Sequence, residues 1–171
     1  MKTFTDNAGK TWTVALTIDA AKRVKSLLGV NLLALDEPLS AETSAKAEPL
    51  ITRLGTDVIM LCDVIYALVK LQADAAEVTD TEFGRALGGD AILAAQTAFY
   101  EELIDFFRKL GRADLAKAVE SQRRMIELAV QRIETRIERF DLEAAVTDAV
   151  GEAEAETTPG APSTNSPASS G

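Results

Sequence analysis

Asp57-Val58-Ile59-Met60-Leu61-Cys62-Asp63-Val64-Ile65-Tyr66-Ala67-Leu68-Val69-Lys70 reads as one helix that is apolar on most of its sides. A helix of that kind belongs at the middle of a core, since no single stripe contains its apolar surface. Thr56 or Asp57 supplies the cap, so the spacing predicts a central helix from there through Lys70. The run from Val58 to Leu71 is only about 14 residues long and carries Asp63, too short and too polar at its centre to span a bilayer.

Before this helix, residues 2–16 predict a β-hairpin. Thr3-Phe4-Thr5 and Thr11-Trp12-Thr13-Val14-Ala15-Leu16 flank Asp6-Asn7-Ala8-Gly9-Lys10, whose Asp, Asn and Gly suit turn conformations. Trp12, Val14 and Leu16 share one face at period two. A lone hairpin is marginal in water, so that face is expected to pack on helices. Thr17 or Asp19 then caps a helix to Leu28, ended by Gly29, with Ile18, Ala21, Val24, Leu27 and Leu28 as its apolar stripe. Lys22, Arg23 and Lys25 fall mostly on the solvent side. Val30 to Leu35 is a short segment. Pro38 and Pro49 bracket a stretch rich in Ala, Glu, Ser and Lys that reads as either a weak helix or a loop, and Leu50 to Leu54 runs into Gly55.

After the central helix, Gln72-Ala73-Asp74-Ala75-Ala76 reads as a connection. Thr79-Asp80-Thr81-Glu82 is a helix-start signal for a short helix, Glu82 to Leu87, stopped by Gly88-Gly89. Asp90 is expected to cap a further helix to about Leu110, with Ile92, Ala95, Phe99, Leu103, Phe106 and Phe107 as its stripe, and Gly111 closes it. No Pro or Gly occurs from Arg112 to Val150. Val119, Ile126, Ile133 and Phe140 recur every seven residues, Ala129, Val130 and Ile137 fill intermediate places, and Gln122 interrupts them. This predicts an amphipathic helix of roughly 35 residues, about 50 Å long at about 1.5 Å per residue. Such a helix outruns a small globule. Its stripe either folds back on the chain's own bundle or docks on another chain or copy. Glu152, Glu154 and Glu156 then lead into a Pro/Ser/Thr-rich end without large apolar side chains, which is expected to be disordered because burial cannot offset its ordering entropy.

The expected fold is therefore mainly α, with an N-terminal β-hairpin packed on a small helical bundle, a long C-terminal amphipathic helix and a disordered tail. The expected boundaries are 1–111, 112–150 and 151–171. The 171 residues suit one ordinary domain with an appendage. With 47% apolar residues but only 5% aromatic ones, Ala and Leu dominate and favour helix over sheet.

Charge and composition narrow the chemistry. The net charge of −9 divides as −5 over residues 1–111, +2 over 112–140 and −6 over 141–171. That balance argues against nucleic acid, which needs clustered cations. In residues 112–140, Arg112, Lys117, Arg123, Arg124, Arg132, Arg136 and Arg139 alternate with Glu120, Glu127, Glu134 and Glu138, a solvated or ion-paired face. Pairs such as Glu120–Arg124, and Glu127 with Arg123 or Arg124, stand at helical spacing. There is no histidine, which removes the commonest general base near neutral pH and most transition-metal sites. Cys62, the single cysteine, has no histidine to activate it and reads as a buried structural thiol in a reducing compartment. Asp74, Asp80 and Glu82 lack the spacing of a calcium loop. Gly84, Gly88 and Gly89 lack the Gly-Lys-Ser/Thr ending of a phosphate loop. Carboxylate-only catalysis is permitted by the count of acids but supported by no spacing. The expectation is a non-enzyme with no catalytic residue, cofactor or metal. With no signal-peptide pattern in Met1–Asp6 and no membrane span, the chain reads as soluble and cytoplasmic.

Several segments resemble the tail-assembly-chaperone type of small phage and prophage proteins. They are Lys2-Thr3-Phe4-Thr5-Asp6-Asn7-Ala8-Gly9 with Thr11-Trp12-Thr13-Val14, Asp19-Ala20 with Lys22-Arg23-Val24, Leu61-Cys62-Asp63-Val64-Ile65-Tyr66-Ala67-Leu68, Gln72-Ala73-Asp74-Ala75-Ala76, Phe83-Gly84-Arg85-Ala86 and Gly89-Asp90-Ala91-Ile92. The resemblance covers about residues 1–110. The Ala-rich insert around Glu42–Glu48 and the helix after Arg112 depart from it. It implies a non-enzymatic factor that coats the tape measure protein before tail subunits polymerise, with the major tail protein as a further contact. It also implies a longer frameshifted form, to which the Pro/Ser/Thr-rich end would be a linker. The partner-binding residues expected on this reading are Val119, Ile126, Val130, Ile133, Ile137 and Phe140. The alternative is a structural or connector protein that self-associates through its long helix.

Overall fold

A computed structural model describes residues 1–37, 48–132 and 136 of the chain. It is mainly helical with an N-terminal antiparallel hairpin, β1 (Lys2–Thr5) and β2 (Thr11–Val14). The helices are α1 (Ile18–Leu28), α2 (Leu50–Thr56), α3 (Val58–Ala75), α4 (Asp80–Ala86), α5 (Asp90–Lys109) and α6, helical over 113–132. Two units divide the chain, Met1–Glu127 and Leu128–Gly171. The expected boundary at 111 therefore moves to 127, because Leu115, Ala116 and Val119 of α6 are core residues of the first unit. The expected tail, the remainder of the long helix and the stretch at 38–47 lie outside the described residues.

The hairpin turns because Asp6 organises it. Its Oδ1 accepts the backbone N–H groups of Ala8 and Lys10, and its Oδ2 accepts the Trp12 indole N–H at 2.7 Å. Gly9, at φ +79°, takes the left-handed position the turn requires. Phe4, Trp12, Val14 and Leu16 all turn inward. There Phe83 of α4 meets the rings of Phe4, Trp12 and Tyr66, with Trp12 and Tyr66 at 5.2 and 5.3 Å between centroids.

α3 is the central helix and packs against α1, α2, α4, α5 and β2. Asp57 is its N-cap, accepting the Met60 N–H. The helix runs one and a half turns past Lys70, so Gln72–Ala75 are its last turn rather than a connection. Ala73 is buried there. The stop is made by Glu77, whose φ of +54° lets Val78 N–H reach the Ala73 carbonyl and Glu77 N–H reach that of Asp74. No glycine announces that stop in the sequence.

Thr17 caps α1 and Gly29 ends it at φ +71°. The helix meets α3 through Ala20, Ala21 and Val24, small enough for close approach. Ile18, Leu27 and Leu28 of the expected stripe are exposed instead, because only the middle turns face the core. α4 begins at Asp80, two residues earlier than expected, and its capping box is complete: Thr79 and Glu82 bond reciprocally. Gly89, not Asp90, is the N-cap of α5. Of the α5 stripe, Ala95, Phe99, Leu103 and Phe107 are buried, and Ile92 and Phe106 pack partly against the core.

Candidate partner-binding surface

Three reactive features of the sequence resolve into structural roles. Cys62 is half-buried, and burial, with Asp63 and Asp80 adding to it, pushes its thiol up to about 11, so the thiolate nucleophile is scarce at neutral pH. Asp74 pairs with Lys70, and Glu82 closes the capping box, with the Thr79 hydrogen bonds holding its carboxyl below the usual range. Asp63 is raised by burial first, then by Asp80 and Asp57. Among the described residues no group of three or more His, Cys, Asp or Glu side chains could hold a metal ion. No helix there is long and apolar enough to cross a membrane. Gly84 sits inside α4, Gly88 beside the Asn7 side chain and Gly89 at the α5 cap.

α6 carries the residues expected to bind a partner, and the structure separates them. Val119 is fully buried in the core of the first unit, so it has no surface to offer a partner and leaves that set. Ile126 is partly buried against the same core. Val130, in the second unit, is 37% exposed. Ile133, Ile137 and Phe140 lie outside the described residues.

The first turns of α6 seat tightly for a readable reason. Gly55 has no side chain, and a Cβ there would meet Gln122 Nε2 at 2.4 Å and Ile126 Cδ1 at 3.2 Å. Gln122, which interrupts the seven-residue pattern, is buried in this approach. Ion pairs add to the seat. Arg108 of α5 pairs with Glu120, and Arg123 stands 3.6 Å from both Glu101 and Glu127. The charges of α6 thus reach across to α5 as well as along their own helix; Glu120 is engaged by Arg108 rather than by Arg124. Arg112 forks onto Asp114 at 2.8 Å, and that hydrogen bonding draws the Asp114 carboxyl down to about 2.

Beyond this seat the apolar side chains turn to solvent. Met125 is 58% exposed, and Leu128, in the second unit, is 53% exposed. Neither was among the residues expected to bind. Their signal was visible as bulky apolar residues beside the seven-residue stripe, and the strict period passed over them. Compared with known proteins, the chain matches no family model, no curated protein and no solved structure.

Proposed function

We propose that the chain is a non-enzymatic assembly chaperone of the phage-tail type, acting in the bacterial host cytoplasm. It holds the tape measure protein, with the major tail protein as a further contact, by covering apolar surface on that partner. The observation that carries this reading is the exposure of Leu128 and Val130, two apolar side chains of the second unit. Exposed large apolar side chains favour association, and a net charge of −9 keeps the free protein apart from its own copies. The resemblance of the hairpin and central-helix segments to that family supports the same reading.

The test is co-expression with the tape measure protein encoded beside it. The expected result is a soluble complex that copurifies, and its loss when Leu128→Asp and Val130→Asp are combined. An insoluble partner and no complex with the unaltered chain would overturn the proposal. So would its retention in purified particles, since a chaperone leaves before the particle is finished.

A further inference from the structure

A polar cleft of about 290 Å³ opens in the first unit where β1, α5 and α6 meet. Its charges can be followed pair by pair. Lys2 Nζ stands 3.2 Å from Glu101 and 3.5 Å from Asp105. Arg108 is engaged by Glu120. Each of the three lining carboxylates therefore has a cation. Arg123 and Arg124, adjacent on α6, complete the charged lining.

Among the described residues neither of these two guanidinium groups makes a hydrogen bond. The contacts of 3.6 Å from Arg123 to Glu101, and to Glu127 outside the cleft, are too long for one. The Arg123 side chain is half-buried, and its Nε is shut off from solvent without an acceptor. Arg124 is exposed and has no ion pair there, because Glu120, four residues before it, is taken by Arg108. Leaving the donors of a half-buried cation without an acceptor is costly, and such a group calls for a water or an ion that supplies one.

A guanidinium fork presents paired N–H groups that a carboxylate or a phosphate accepts. The balance of charge chooses between the two. Four lining cations face three lining acids, a surplus of one positive charge. That surplus matches a carboxylate. A phosphate monoester, at about −1.5 to −2 near pH 7, would leave negative charge facing Glu101, Asp105 and Glu120.

We infer that this cleft holds a carboxylate, with Arg123 and Arg124 as its donors. Lys2 and Arg108 neutralise the acids of the cleft, so an incoming anion meets the two free forks rather than three bare carboxylates. The ligand is a small carboxylic acid or the acidic side chain of another polypeptide. The inference does not rest on the function proposed above.

The test uses the full chain at constant ionic strength, with the Nε–Hε signals of Arg123 and Arg124 followed by NMR. Sodium acetate and the peptide acetyl-Gly-Glu-Gly-amide are the probes, and sodium chloride and inorganic phosphate are the comparisons. Saturable shifts of both signals in the millimolar range are expected. Tighter binding of the peptide assigns the site to a polypeptide side chain, and tighter binding of acetate assigns it to a free acid. Arg124→Gln, and Arg123→Lys, which keeps the charge and loses the fork, are each expected to weaken binding about threefold with the thermal midpoint retained. Lys117→Gln removes an exposed charge of the same helix outside the cleft and is expected to leave the affinity unchanged. Shifts that chloride reproduces would reduce the effect to screening and overturn the inference. Tighter binding of phosphate than of either probe would overturn the choice of ligand, and equal losses in all three variants would overturn the site.

Discussion

Gln72 shows how a single side chain completes a sheet. Its amide makes the two bonds that another strand would make to Thr13. Gln72→Ala is expected to cost about 1–3 kcal/mol in urea unfolding, from two bonds of about 0.5–1.5 kcal/mol each, and to speed exchange at Thr13. Asp63 acts in the opposite sense. Burial raises its carboxyl above the usual range, so the folded state holds that proton more tightly than the unfolded chain. Its charge therefore opposes folding above the raised value, and the penalty fades as pH falls through it toward the unfolded value near 3.9. Asp63→Asn is expected to stabilise at pH 7 by no more than about 0.5–1 kcal/mol. Thermal midpoints should converge with those of the unaltered chain near pH 3–4. Asp114, drawn down to about 2 by Arg112, has the reverse sign: its contribution is present above about pH 4 and lost toward pH 2. Neither Gln72 nor Asp63 is legible alone. The Gln72 amide acquires its role from Thr13, 59 residues away, and the Asp63 acid from the burial that packing imposes on it, to which Asp80, 17 residues away, adds.

Helix starts were legible to within about two residues where a side chain makes the cap. Thr17, Asp57 and Thr79 each accept a backbone N–H as their residue type foretells. The boundary was illegible at the end of α3, where Glu77 adopts the left-handed conformation a glycine would take more cheaply. Glu77→Gly is expected to stabilise the chain by about 0.5–1 kcal/mol, read as a higher denaturation midpoint with an unchanged slope. A loss of stability would show that the Glu77 side chain contributes more than its strained backbone costs. The α1 stripe failed for a different reason. Ile18, Leu27 and Leu28 have helical spacing, but a helix touching its neighbour over its middle turns buries Ala20, Ala21 and Val24 and leaves the ends wet. Periodicity states which residues share a face, not how much of that face a neighbour covers.

At the scale of the whole molecule, α6 belongs to the first unit up to Glu127. A chain ending after Glu127 is expected to keep the thermal midpoint of the first unit. One ending after Gly111 loses the buried Leu115, Ala116 and Val119, at a cost of about 3–6 kcal/mol from two large side chains worth about 1.5–3 kcal/mol each. Equal stability of the two truncations would place the boundary back at 111. The partner-binding set divides along the same line. Val119 and Ile126 have the period of a docking stripe, yet the core takes the first wholly and the second in part. Met125, off the strict period, is left in solvent. From sequence alone followed the helical class, the hairpin and its turn, most helix starts and the central place of α3, because propensity, capping and hydrophobic period are local properties of the chain. Where α6 stops being core, which edge of the hairpin is closed by Gln72, and which apolar side chains remain exposed were decided by tertiary packing. Each depends on residues far apart in the chain competing for the same surface, and no local pattern records which of them wins.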